Sequence, residues 1–232
     1  MKALRAEAEA GAIAESIARR GFAVARSVVG PKLIARLVER CPSSQAGVRD
    51  LLGVAPVFGE LAGHPAVGEL VAAVVGRPGF VTRAILFDKS PDANWALGFH
   101  QDVAVAVAER IETPGFGPWS VKAGIPHVRP PAAVLEQMIT VRVHLDDCAE
   151  DNGPLTVIPG SHAYGFLSDD ASLRLIAAGP EVTCAARAGD AVLMRPLLLH
   201  GSPKAERPVH RRVAHFEFAA DPLPPPLRWR PQ

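Results

Sequence analysis

The chain has 232 residues, 48% of them hydrophobic, with 25 basic and 24 acidic side chains and a formal net charge of +1. That is enough apolar material for one substantial core, and too even a charge balance to leave an electrostatic footprint for nucleic acid. No run reaches the apolar length that spans a membrane, and Met1 to Arg20 alternates charge with alanine instead of carrying a signal peptide's apolar stretch. Three widely spaced cysteines, Cys41, Cys148 and Cys184, fit neither a disulfide framework nor a zinc site, and read as small packing residues in a reducing cytoplasm.

In chain order, the first third reads as helical and the remainder as mostly strand. Ala3 to Arg19 is an alanine-rich helix, Gly21 to Val29 a short strand, and Pro31 opens a helix to about Arg40. Pro65 to Val75 is a third helix, closed by Gly76. Strands are then expected over Phe80–Asp88, His100–Val107, Met138–Leu145, Leu155–Ile158, Glu181–Ala185, Asp190–Leu199 and Arg212–Ala219, with Gly and Pro clusters between them. No internal repeat is present, and Pro222 to Pro226 reads as an extended tail or strap. Helices first and strands after them predict an α+β layout in one domain: a helical part over about 1–78, a barrel over about 79–220 and a Pro-rich tail after it.

His100-Gln101-Asp102 is the most informative tripeptide. On an extended strand His100 and Asp102 project to one side, where they can hold one metal ion while Gln101 points away. His200, at the end of the apolar run Ala191 to Leu199, would complete two histidines and one carboxylate. That set leaves three adjacent octahedral positions open, as non-haem Fe(II) oxygenases require for co-substrate and dioxygen. Arg211, on the strand after His200, adds a planar guanidinium suited to a dicarboxylate, so the pattern points to Fe(II) with 2-oxoglutarate.

The stretch Asn152-Gly153-Pro154-Leu155-Thr156-Val157-Ile158-Pro159-Gly160-Ser161-His162 resembles the N-G-P-L-x-V-I-P-G-S-H turn and strand of the phytanoyl-CoA hydroxylase-like branch of the 2-oxoglutarate oxygenases. The resemblance runs from about Gly21 to Ala219. It implies a double-stranded β-helix of jelly-roll, cupin-like form, with His100, Asp102 and His200 as iron ligands. It further implies that Arg211 and Ser202 hold the distal carboxylate of 2-oxoglutarate and that Trp119 lies near the co-substrate. The implied reaction is hydroxylation of a small molecule with release of succinate and carbon dioxide. Retention of Asp102 sets the chain apart from halogenating relatives, which replace this carboxylate by a small residue. The rival reading, a non-oxidative cupin-like isomerase or small-molecule-binding barrel, has no use for an arginine placed to hold a dicarboxylate.

Other residues are weighed against blander roles. The long Glu109–Gln137 segment is expected to wall the iron, with Lys122, His127 and Arg129 as candidate substrate contacts, or else to be a Pro-rich surface crossing. Over Met138 to Asp146 a strict period of two sets Ile139, Val141, Val143 and Leu145 against Met138, Thr140, Arg142, His144 and Asp146. Arg211, Val213, His215 and Glu217 likewise share one strand face, which predicts an inner polar network with Arg142 and His144 that chiefly stiffens the barrel. Alternation lets only one of Arg211 and Arg212 face the site, and the spacing favours Arg211. Arg83 is placed to reach the other end of 2-oxoglutarate; Lys89 and Asn94 read as solvated loop polarity, and His64, His162 and His210 as structural or surface residues. No basic cluster for a nucleotide phosphate accompanies the pattern, so an acyl-CoA is not implied.

Overall fold

A computed structural model describes residues 2–42 and 47–232. The helical part comprises α1 (Lys2–Arg20), α2 (Pro31–Glu39), α3 (Leu51–Val54), α4 (Phe58–Ala62) and α5 (Pro65–Val75), with β1 (Phe22–Ala25) and β2 (Gly47–Val48) between them. Pro31 and Pro65 each occupy the first turn of their helix, where the missing N–H costs nothing, and Gly76 closes α5 in the left-handed region. Then follow β3 (Phe80–Lys89), β4 (Leu97–His100), β5 (Val105–Ala106), β6 (Trp119–Lys122), β7 (Ile125–Val128), α6 (Ala132–Glu136), β8 (Ile139–His144), β9 (Leu155–Val157), α7 (Asp169–Ala178), β10 (Val182–Cys184), β11 (Ala191–Met194), β12 (His200–Ser202) and β13 (Arg211–Ala219). Among the described residues no helix is long and apolar enough to cross a membrane.

The strands form a six-stranded sheet in the order β1-β11-β8-β13-β3-β2, a four-stranded sheet β10-β9-β12-β4 and a three-stranded sheet β5-β7-β6. The architecture is α+β with jelly-roll sheets, but they make a sandwich and do not close into the expected barrel. The period of two explains how the large sheet serves two partners. Ile139, Val141 and Val143 of β8, Ala214, Phe216 and Phe218 of β13 and Leu193 of β11 bury one face against Ile13, Ile17, Leu37, Phe58, Leu61, Val67 and Val71 of the helices. The opposite face turns to the four-stranded sheet, where Phe22, Val192 and Met194 meet Leu155, Val157 and Leu198.

The remainder of that inner face is polar and still buried. Register places Arg83, Glu217 and Thr140 on one cross-strand rung, His215 and Arg142 on the next, then Val213 and His144, and finally Lys89 beside Arg211. Backbone pairing therefore assembles a polar chamber from residues that lie far apart in the chain.

Three expectations need correction. His100–Val107 is not one strand: β4 ends at His100, and β5 begins only at Val105. Asp190–Leu199 is also divided, because β11 stops at Met194 and the turn through Pro196 lets β12 join the other sheet. The Glu109–Gln137 segment, for which no strand was expected, contains β6 and β7, which form a hairpin extended by β5. The Pro-rich tail is a strap, since Trp229 bridges Val107, Arg230 pairs twice with Asp50 at 2.9 and 3.0 Å, and the Gln232 amide donates to the Thr82 carbonyl at 3.0 Å. All three cysteines are free.

Candidate metal and co-substrate site

β12 pairs with β4 so that His100 and His200 stand opposite one another, their ring centroids 4.3 Å apart. This contact needs Gly201, because a Cβ there would lie 3.0 Å from the Leu97 carbonyl oxygen and 3.2 Å from the Phe99 nitrogen. Each imidazole places Nδ1 2.9 Å from a backbone carbonyl two residues earlier, Gly98 for His100 and Leu198 for His200. A carbonyl only accepts, so Nδ1 carries the proton and Nε2 is left as a lone pair. Both Nε2 atoms turn to the Asp102 carboxylate, at 4.0 Å from His100 and 3.7 Å from His200, and the three ligand atoms lie within 4.8 Å of one another.

Asp102 reaches this position by a turn and not by the strand alternation expected from sequence. Its N–H donates to the Pro196 carbonyl at 2.9 Å. Gln101 points away, as expected, and locks the turn: its amide donates to the carbonyls of Gly165 (2.8 Å) and Leu197 (2.7 Å), and its oxygen accepts from the Leu167 N–H (3.0 Å). Burial works to raise the Asp102 carboxyl, but His200, His215, Arg83 and His100 outweigh it and hold the group well below the usual carboxylate range. Burial pushes His200 down to about 4, which keeps its lone pair free at neutral pH. Two imidazoles that turn Nε2 inward, an ionised carboxylate and a buried Asp102 Oδ2 without a hydrogen-bond partner among the described residues are a donor set that fits a divalent first-row metal ion.

The second half of the site sits on Arg211 and Lys89, neighbours across β13 and β3 and both fully buried. Arg211 Nη1 donates to the Gly153 carbonyl at 2.6 Å and to Ser202 Oγ at 3.3 Å, while Nε and Nη2 are buried with no partner among the described residues. Lys89 Nζ donates to Ser202 Oγ at 3.0 Å and to the Pro203 carbonyl. Ser202 in turn donates to the Gly153 carbonyl at 2.9 Å, so its lone pairs face both cations and orient them. Gly153, at φ 58°, has no room for a side chain: a Cβ would lie 2.7 Å from Lys89 Nζ and from the Pro203 oxygen. Burial and the neighbouring Arg211 push the Lys89 amine down to about 8. Two buried cations without a carboxylate are costly unless an anion joins them.

One cavity is lined by His100, Asp102 and His200 together with Ser202, Arg211, Arg83, Arg142, His215 and Trp95. Trp95, which the sequence reading passed over, lies beside the cations, with Lys89 Nζ 4.9 Å and the Arg211 guanidinium 5.9 Å from its ring. Lys89, expected as solvated loop polarity, instead ends an uninterrupted β3 and is buried. Asn94 is a clamp, exchanging hydrogen bonds with the Ala205 backbone at 2.8 and 2.9 Å. Trp119 does not line this cavity; it packs against the apolar cluster of Val105, Val128 and Leu135, with Arg110 over its ring at 5.5 Å. Arg212 lies on the other strand face and pairs with Asp146 through Nε at 2.8 Å and Nη2 at 2.6 Å.

The inner network exists in part. Arg142 Nη1 donates to His215 Nδ1 at 2.9 Å, His215 Nε2 lies 3.4 Å from Glu217, and Glu217 pairs with Arg83 at 2.7 Å. His144 stands outside this chain, buried, with Nδ1 unpartnered among the described residues. Arg83 is occupied by Glu217 on the metal side and does not reach Arg211. Arg129 stacks on Phe166 at 3.7 Å and does not line the cavity of the metal triad.

Comparison with known proteins agrees with this layout. No curated protein sequence matches the chain. Among solved structures, AviO1 from Streptomyces viridochromogenes Tue57 is similar at 27% identity, with 93% of this chain and 96% of that chain covered and a TM-score of 0.66. The epimerase SnoN from nogalamycin biosynthesis, described in complex with Fe3+, alpha ketoglutarate and nogalamycin RO, is similar at 18% identity over 97% of this chain and 87% of its own, with a TM-score of 0.70. EctD from S. alaskensis, described with 2-oxoglutarate and 5-hydroxyectoine, is similar at 18% identity over 89% of this chain and 74% of its own, with a TM-score of 0.68. The sequence family described as phytanoyl-CoA dioxygenase (PhyH) matches residues 17–213, a span that contains all three metal-site residues together with Lys89, Gly153, Ser202 and Arg211, and the chain belongs to that family.

Proposed function

We propose that the chain is a single-domain Fe(II)- and 2-oxoglutarate-dependent oxygenase that hydroxylates a small molecule. The observation that carries this reading is Arg211: it lines the same cavity as the His100–Asp102–His200 triad, stands beside the buried Lys89, and has two buried guanidinium nitrogens with no hydrogen-bond partner among the described residues. A site for one metal ion alone has no need of that pocket, which disfavours a non-oxidative cupin-like isomerase. His100, Asp102 and His200 would hold the iron, and Arg211 with Lys89 would hold the distal carboxylate of 2-oxoglutarate, Arg211 by a bidentate pair and Lys89 by charge. Iron with 2-oxoglutarate and dioxygen supplies abstraction of hydrogen from a C–H bond, coupled to conversion of 2-oxoglutarate into succinate and carbon dioxide.

The protein's own contribution is placement. Ser202 and the Gly153 carbonyl fix the two cations, the Nδ1 contacts fix the imidazole tautomers, and Gln101 fixes the turn that carries Asp102. The β5–β7–β6 hairpin, tied to the C-terminal strap through the Val107–Trp229 bridge, would serve as a wall that keeps bulk water from the reacting carbon. In this reading Trp119 supports the wall and does not touch the co-substrate.

Succinate release from 2-oxoglutarate tests the proposal. Protein loaded with Fe(II) under anaerobic conditions should form succinate on exposure to air, and His200→Ala should not. Equal succinate formation by His200→Ala would remove the iron assignment, and its absence from wild type under every metal tried would remove the oxygenase reading.

A further inference from the structure

Arg142 is a buried cation without a carboxylate of its own. Its cross-strand neighbours on β8 are Val192 of β11 and His215 of β13, and only 6% of it is exposed. Nη1 donates to His215 Nδ1 at 2.9 Å, Nε is buried without a partner, and no carboxylate pairs with the guanidinium among the described residues. A guanidinium can only donate, so His215 Nδ1 is an accepting lone pair, the ring proton sits on Nε2 and the imidazole is neutral. The string continues from His215 Nε2 to Glu217 at 3.4 Å and from Glu217 to Arg83 at 2.7 Å. One carboxylate thus stands between two guanidiniums, and Arg83 holds it.

Asp102, His215 and Glu217 also bring ligand atoms within 4.8 Å of one another, the spacing of a second metal site. Their hydrogen bonds argue against one, because Arg142 takes the lone pair of His215 and Arg83 takes the Glu217 carboxylate. The cluster instead locates Arg142, one hydrogen bond from a ring that stands beside Asp102. On its other side the guanidinium lies 5.3 Å from the Phe87 ring, that ring lies 6.1 Å from Trp95, and Trp95 lies 5.9 Å from the Arg211 guanidinium. Arg142, His215, Phe87, Trp95 and Arg211 all line the cavity of the metal triad. Arg142 therefore stands on the cavity wall between the metal ligands and the pocket of Arg211 and Lys89. Burial, then Arg211, push it down to about 10 and Asp102 opposes them, so it is charged at neutral pH.

We propose that Arg142 receives the keto-acid carboxylate of 2-oxoglutarate, the end nearer the metal triad, while Arg211 and Lys89 hold the distal one. The inference rests on the oxygenase reading above and assigns the second carboxylate, for which that reading names no cation of the protein. 2-Oxoglutarate carries two carboxylates, and the distal pair of cations uses one. Arg83, the sequence's candidate for the other end, is spent on Glu217. With a cation at each carboxylate the co-substrate cannot pivot about its distal anchor. Arg142 thereby sets how the keto acid lies toward the metal and favours 2-oxo acids over plain carboxylates.

The test takes the ligand apart. Levulinate keeps the ketone and the distal carboxylate of 2-oxoglutarate but has a methyl group for the keto-acid carboxylate; 2-oxopentanoate keeps the keto acid but has a methyl group for the distal carboxylate. Binding of all three to full-length protein, metal-free and loaded with redox-inert Zn(II), is read by ligand-observed NMR. Metal-free wild type should bind 2-oxoglutarate about tenfold or more tightly than levulinate, the scale of one charge-assisted contact. In both forms Arg142→Met should weaken 2-oxoglutarate and 2-oxopentanoate by about that factor and leave levulinate unchanged, which also shows that the variant is folded. Arg211→Met should instead weaken 2-oxoglutarate and levulinate and leave 2-oxopentanoate unchanged. Arg142→Lys, with the charge but not the fork, should fall between wild type and Arg142→Met. Equal affinity of metal-free wild type for 2-oxoglutarate and levulinate would overturn the proposal without recourse to any variant. So would an Arg142→Met of unaltered melting temperature that loses levulinate in step with 2-oxoglutarate, which would move Arg142 to the distal pocket. Wild type that binds no 2-oxoglutarate with or without Zn(II) would defeat the oxygenase reading as well, whereas 2-oxoglutarate binding that needs Arg211 and ignores Arg142 would defeat this inference alone.

Discussion

Replacing Arg211 by alanine is the sharpest perturbation the site allows. The guanidinium spends one nitrogen on Gly153 and Ser202, while Nε and Nη2 are buried without a hydrogen-bond partner among the described residues; a carboxylate bound across them would gain two charge-assisted hydrogen bonds. Such bonds are worth about 1.5–3 kcal/mol each, and because Lys89 still supplies a cation the lower end applies, about 3 kcal/mol, or about a hundredfold in affinity for 2-oxoglutarate. Arg211→Lys keeps the charge without the fork and should lose about tenfold. Arg212→Ala should leave affinity nearly unchanged, since its partner Asp146 lies on the opposite strand face. Quenching of Trp95 fluorescence on titrating 2-oxoglutarate into anaerobic, metal-loaded protein reads the affinity directly, because that indole stands beside both cations. A loss under threefold in Arg211→Ala, or a larger loss in Arg212→Ala, would refute the assignment of the pocket.

Alanine at His100, Asp102 or His200 should each abolish succinate formation and weaken metal binding measured by calorimetry, with Asp102→Asn as severe as alanine if the charge is what matters. The Lys89 amine is pushed down to about 8 in the fold, so the native state binds fewer protons than the unfolded chain between about pH 8 and the ordinary lysine value near 10.5; the stability of the ligand-free protein should rise with pH across that window. Affinity for 2-oxoglutarate should move the other way, falling above about pH 8 as the ammonium is lost, and Lys89→Met should flatten both profiles; an unchanged profile would show that Lys89 does not titrate there. Gln101→Ala removes three hydrogen bonds that hold the Asp102 turn, and should lower the melting temperature and loosen metal binding, whereas Gln101→Glu should restore neither, having lost the amide donors to Gly165 and Leu197.

The sequence made the chemistry legible more readily than the path of the chain. His100, Asp102, His200 and Arg211 are found from residue type and spacing, and the alternation in β8 and β13 separates the helix-facing side from the inner side. The strand breaks were hidden because apolar runs such as Ala191 to Leu199 keep the same composition through a turn that passes between two sheets. Asp102 lands beside His100 through the Pro196 and Gln101 contacts, which no local pattern encodes. Lys89 reads as solvated loop polarity because a lysine near a strand end ordinarily reaches solvent; only the pairing of β3 with β13 reveals that it is buried beside Arg211. Trp119 and Trp95 illustrate the same limit, since the turn between β3 and β4 sets Trp95 beside the cations while the β6–β7 hairpin packs Trp119 into the Val105–Val128–Leu135 cluster.

The facing of His100 and His200 across a single rung has a consequence for handling the enzyme. The gap between the two imidazoles is set by the hydrogen-bonded spacing of β4 and β12, and each ring is further oriented by its own strand's carbonyl. Neither restraint involves an ion, so chelation withdraws a ligand from a scaffold that is already assembled. Iron lost during purification should therefore be replaceable by simple incubation, without a denaturation cycle, and inert divalent ions of similar size should exchange into the same position and report its occupancy.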